Sequence, residues 1–200
     1  MDHQLAQHYL ADVLASFRAY RKLAEKALAQ LNDEEYFIAL DPESNSIAVI
    51  MKHIAGNMLS RWTDFLTSDG EKPDRQRDLE FVIDPQTTKA DLLVYWERGW
   101  QCLFNALEPL QPADFEKTVT IRGQEHSIVQ AINRQMTHYA SHIGQIVFLA
   151  KHFRSAQWQS LSVPRNRSAE FNAYLKANAG PVDKERQLDA VISFAEEVKS

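Results

Sequence analysis

In the stretch THYASHIGQIVFLAKH, Thr137 to His152, two histidines, His138 and His142, stand four residues apart inside an otherwise apolar run. Residues i and i+4 share a helix face, with Cβ atoms about 5–6 Å apart, so both imidazoles project in one direction. A third histidine, His53, sits between Ile50 and Ile54 in IAVIMKHIAGNM, a segment apolar almost all round. Neutral imidazole is a ligand for zinc, nickel, copper and iron. Three imidazoles make an open site, because a closed structural zinc site uses four ligands, commonly cysteines, and the chain has only Cys102. A cation held this way can ionise water near neutral pH. Since the ligands must be deprotonated, its affinity should fall below about pH 6.5.

One H-x-x-x-H pair is weakly specific, and a lone inward histidine is ordinarily a hydrogen-bonded core residue. Three inward histidines are harder to satisfy that way. Each unpaired buried polar group costs about 1–3 kcal/mol, against a typical stability of roughly 5–15 kcal/mol. Few other polar groups in these segments face inward: Asn57, Gln135 and Tyr139. The spacing therefore favours a divalent metal (zinc, nickel or iron) on His53, His138 and His142. Asn57 and Gln135 are candidates for hydrogen bonds to the ligands or to a substrate. His3, His8, His126 and His152 fall on polar faces or near helix ends and are given no role. Cys102 reads as an inert, partly buried thiol. Asp64 and Glu80 are acidic, with nothing that pairs them as catalytic carboxylates.

The elements that must position these residues are helices. Leu5, Tyr9, Val13, Phe17, Tyr20, Ala24, Leu28 and Leu31 step by three or four, which predicts one amphipathic helix over about 3–31. Ser44, Asn45 or Ser46 caps a second helix, running through about Thr67 with Ile47, Ile50, Ile54, Met58 and Phe65 inward. Thr87 or Thr88 opens a third, with Asp91 three residues after Thr88 as in a capping box, and its seam is Leu93, Trp96, Trp100, Leu103 and Leu107. TVTIRGQEHS, with Arg122-Gly123 as its turn, reads as a small hairpin. A fourth helix runs from about Ser127 to Phe153. One of its stripes is Ile132, Tyr139, Ile143, Ile146, Ala150 and Phe153; the neighbouring one carries Gln135, His138, His142 and Gln145. The charge-dense DGEKPDRQRDLE, Asp69 to Glu80, reads as a solvated loop, with a site rim or dimer contact as the lesser alternative. The fold class is all-α: a four-helix bundle over 1–153 with a short hairpin before helix 4. Residues 154–200 form a helical appendage packed on it, with helices over Ser168–Asn178 and about Asp183–Lys199.

Two hundred residues with 44% apolar content can bury a core without staples. A formal charge of −5 and the absence of any basic block argue against a nucleic-acid surface. No run approaches the roughly 18 apolar residues of a membrane span. The first residues lack the pattern of a signal peptide, and one cysteine suits a reducing compartment. The expected location is cytoplasmic.

The motifs KHIAGN around His53 and HYASHIGQI around His138 and His142 resemble the DinB-like (damage-inducible, YfiT-type) superfamily. More narrowly, Lys52 to Phe81 (KHIAGNMLSRWTDFLTSDGEKPDRQRDLEF) and Trp158 to Asn172 (WQSLSVPRNRSAEFN) resemble a DinB-related family of uncharacterised function. The resemblance implies a bacterial, up-down-down-up bundle whose three histidines hold a metal, mapping onto His53, His138 and His142, and it implies frequent homodimers. Some superfamily members resemble thiol S-transferases; others resemble maleylpyruvate isomerases or have no assigned activity. The expected function is thus metal-dependent chemistry on a small molecule, thiol S-transferase-like or hydrolase-like. The alternative is a non-catalytic dimeric metal-binding bundle of a stress response.

Overall fold

The computed structural model describes residues 2–178 and 184–198. Helix α1 spans His3–Leu28, α2 Ile47–Trp62, α3 Lys89–Leu107 and α4 Ile128–Arg154. Strands β1 (Thr118–Ile121) and β2 (Gln124–Ser127) precede α4, and α5 (Ser168–Ala177) and α6 (Lys184–Glu197) follow it. The chain is mainly helical, with one two-stranded antiparallel sheet among the described residues.

Local chemistry sets the helix ends, some of them short of where apolar spacing runs. After Leu28 the amides of Gln30 and Leu31 bond the carbonyls of Ala27 and Leu28. These tighter turns end α1 three residues before Leu31, although Leu31 stays buried. Ser46 caps α2 by accepting from Val49 N–H at 3.3 Å. That helix stops at Trp62, not near Thr67, because Asp64 takes a left-handed backbone (φ 49°); Phe65 is buried from outside the helix. The Thr88–Asp91 capping box opens α3. Its seam starts at Leu92, while Leu93 is 39% exposed. Adjacent leucines offer two phases, and packing chose the one four residues before Trp96. A second capping box, Ser127 with Gln130, opens α4. His126 lies in β2, two residues before the helix begins.

Helix α2 packs on α3 and α1 on α4, around a shared core containing Phe17, Trp62, Trp100 and Tyr139. A Cβ at Gly99 would lie 3.0 Å from Ala55 Cα, so α2 and α3 approach closely only because residue 99 is glycine. The Phe17 ring meets Trp62 and Trp100 edge-on. In the hairpin Thr118 pairs with Ser127 and Ile121 with Gln124. Its turn residues Arg122 (φ 54°) and Gly123 (φ 71°) both take the left-handed region that a two-residue hairpin turn demands.

Beyond α4, α6 lies against α1, where Lys22 pairs with Asp189. Phe194 packs on Phe171 and Tyr174 of α5 at ring distances of 5.3 and 5.6 Å. The ends of the expected Asp183–Lys199 helix lie outside the described residues. No described helix is long and apolar enough to cross a membrane.

Candidate metal centre

His53 sits on the buried face of α2 beside Ile50, Ile54 and Asn57, and is 5% exposed. His138 and His142, one turn apart on α4, are half-buried. Their side chains meet across the space between the two helices. His53 Nε2 lies 3.2 Å from His138 Nε2, and His142 Nε2 lies 3.1 Å from the same atom. The three ligand atoms all fall within 4.8 Å of one another.

The far side of each ring decides what those nitrogens carry. His53 Nδ1 donates to Glu80 Oε2 at 2.8 Å, and His142 Nδ1 donates to Gln145 Oε1 at 2.7 Å. A neutral imidazole has one N–H, so Nε2 of His53 and of His142 each presents a lone pair. Burial, then the neighbouring His142 and His53, push the His138 pKa down to about 3, leaving that ring neutral at pH 7. Burial also lowers His142, against the opposing hydrogen bond to Gln145. A single hydrogen on His138 Nε2 serves only one neighbour, so at least one inward lone pair has no donor. Metal–nitrogen bonds of about 2.0–2.1 Å in tetrahedral geometry place ligand nitrogens roughly 3.3 Å apart. The donor set and its spacing fit a divalent transition metal.

The loop Asp69–Glu80 is only in part the solvated surface its composition suggests: Pro73, Asp74 and Gln76 to Leu79 are exposed, while Gly70 and Glu80 are buried. It folds back along α2 as a strap and closes in a 3₁₀ turn, Arg77–Phe81. Glu80 is 6% exposed. It reaches His53 through a notch: a Cβ at Gly56 would lie 2.7 Å from Glu80 Oε1. Arg75 grips the same carboxylate, Nε to Oε1 at 2.8 Å and Nη2 to Oε2 at 2.9 Å. Its Nη1 reaches Glu71 at 3.1 Å, and Arg61 of α2 reaches Glu71 at 2.9 Å while also donating to the Gly70 carbonyl. Charges therefore alternate from Arg61 through Glu71, Arg75 and Glu80 to the His53 ring. Burial raises the Glu80 carboxyl, but the hydrogen bonds from His53 and Arg75 outweigh it and hold it below the ordinary range. For Arg75, burial is likewise outweighed by Glu80 and Glu71, and its pKa rises. At Arg61 burial prevails and the pKa falls. The strap's other end is tied down by Asp69, which accepts from the amides of Arg122 and Gly123 at 2.8 Å each.

Asn57 is hydrogen-bonded elsewhere, and Gln135 is buried with its side-chain oxygen unpaired. Asn57 Oδ1 accepts from the Tyr139 hydroxyl at 3.0 Å, and the Tyr139 hydroxyl accepts from Trp62 Nε1 at 3.1 Å. Gln135 borders a closed space of about 10 Å³ shared with Arg61. Neither makes a hydrogen bond to a histidine among the described residues. Residues that composition and spacing overlooked are Glu80, Arg75 and Gly56. The usable signal was the glycine three residues after His53, on the same helix face. Gln145 also lines a groove of about 460 Å³ with Ile50, Phe148 and Leu149, between the start of α2 and α4. Cys102, half-buried, lies in a different groove with Trp62 and Phe65.

No curated protein and no solved structure matches the chain. A family model described as "Protein of unknown function (DUF1572)" matches residues 4–167, most of the chain and all three histidines. By that match, the chain belongs to the DUF1572 family.

Proposed function

We propose that this protein is a DinB-like, up-down-down-up four-helix bundle that binds one divalent metal on His53, His138 and His142 and uses it on a small molecule. The observation that carries the reading is the convergence of three Nε2 atoms, two of them 3.1–3.2 Å from the third, with too few hydrogens to satisfy them. Zinc, nickel and iron all suit imidazole. When bound, the cation supplies Lewis acidity that lowers the pKa of a thiol or a water molecule, the chemistry of a thiol transferase or a hydrolase.

The chain's own groups do the rest. His53 is sealed by Glu80 and α2, whereas the half-buried edges of His138 and His142 leave the cluster reachable from one side. The groove beside Gln145 falls in the usual 300–1,000 Å³ range of small-molecule sites. Ile50, Phe148 and Leu149 would hold an apolar part of the substrate there, and Ser44, Asn45 and Ser141 offer hydrogen bonds. A groove that meets the cluster at Gln145, the partner of His142, supports chemistry over a sealed structural ion. The homodimer implied by the DinB likeness is part of the proposal, to be checked by light scattering.

Elemental analysis of purified protein against a His142→Ala variant tests the site. Near-stoichiometric metal in the native protein and little in the variant is expected. Equal substoichiometric metal in both would end the reading.

A further inference from the structure

The two outer histidines are oriented by different groups. His142 is steadied by Gln145, a neutral and exposed amide. His53 is steadied by a carboxylate that is itself buried and doubly bonded to a guanidinium. We propose that Glu80 is a positioning residue for the metal centre: seated on Gly56 and gripped by Arg75, it fixes His53 as the Nδ1–H tautomer and aims Nε2 at the cation. This rests on the three-histidine reading above.

The geometry separates this role from a plain ion pair. An Arg75–Glu80 pair made only for stability would need no third partner and could sit anywhere along the strap. Here Glu80 Oε2 takes both Arg75 Nη2 and His53 Nδ1, while Oε1 takes Arg75 Nε. The carboxylate is also wedged against the one α2 position, three residues from His53, where any side chain would collide with it. A carboxylate accepting from the distal nitrogen of a ligand imidazole sets its tautomer and ring orientation and raises the basicity of the ligating nitrogen. Phe81, next in sequence, lies tilted against the His53 ring with centroids 5.0 Å apart and limits its swing.

The test uses zinc itself as the probe, by chelator competition on the full chain, with ¹⁵N NMR of the histidine rings in metal-free protein. Two variants displace the carboxylate's effect by different routes. Glu80→Gln removes its charge. Gly56→Ala keeps every charge and pushes the Glu80 carboxylate away from its seat, so it carries the test if Glu80→Gln fails to fold. Each is expected to weaken zinc binding about 10–100-fold. Native His53 should be the Nδ1–H tautomer without metal, and Gly56→Ala should shift it toward a mixture. If the native protein binds zinc and both variants bind within about twofold of it, Glu80 has no positioning role and the three-histidine site stands. A native His53 protonated on Nε2 would equally overturn the proposal. If the native protein takes up no zinc, the three-histidine reading falls, and with no cation for Nε2 to be aimed at the Glu80 proposal falls with it.

Discussion

The histidine cluster is built from two unlike halves. On α4, His138 and His142 follow from one helical repeat, and their support is local and partly exposed: Gln145 is three residues from His142. On α2, His53 depends on groups far along the chain. Glu80 is 27 residues away, and its own holder, Arg75, is nearly inaccessible. One half is written into a helix and tolerates change; the other is assembled by tertiary structure and should fail as a unit.

That contrast can be broken most directly at Arg75. Its side chain is 5% exposed and Glu80's is 8%, and stripping one partner from a buried pair costs about 3–5 kcal/mol. Arg75→Ala should lower the unfolding free energy by that amount in urea titrations. A loss below about 1 kcal/mol would mean the strap is a surface ornament.

Acid should separate the halves next. His138 is held down to about 3 by burial and its histidine neighbours, and His142 is also lowered. The unfolded chain protonates these rings near pH 6.5 while the folded, metal-free protein does not. Stability is therefore full above that pH and declines as pH falls below it. Glu80 is also lowered, but its share persists until pH drops below about 4.3. Melting temperatures of metal-free protein should thus begin to fall on acidification below about pH 6.5. His138→Gln should flatten the descent between about pH 6.5 and 4.5, and Glu80→Gln should leave that segment in place. The reverse pattern would dissolve the distinction.

A smaller effect is expected at the strap's anchor. Asp69→Ala removes two bonds to the hairpin turn, and a loss of about 1 kcal/mol is expected by urea denaturation. The smallest belongs to α4: Gln145→Ala should change stability by less than about 0.5 kcal/mol. If it matches Arg75→Ala, the two halves are alike after all.

The legible parts were those with a short period or a turn requirement. His138 and His142 are one helical step apart, the Thr88–Asp91 box forms as a three-residue pattern allows, and Arg122-Gly123 turns the hairpin. Phase and length were harder to read. Leu92 and Leu93 both fit a seam, and Phe65 continues an apolar spacing that the backbone has already left. A site rim was only the lesser alternative for the strap, for a physical reason. Charge predicts solvent unless opposite charges find one another, and Arg61, Glu71, Arg75 and Glu80 do so only once the loop has folded back. Local composition carries no record of that pairing.

Helix α2 is constrained from two directions by missing side chains, with Gly99 of α3 against Ala55 and its own Gly56 under Glu80. Substitution at these places should accordingly be correlated among relatives. A lineage that acquires a methyl at 56 should shorten or abandon the acid at 80, and with it the cationic residue at 75. Drift at 55 should be mirrored at 99 and leave the acid untouched.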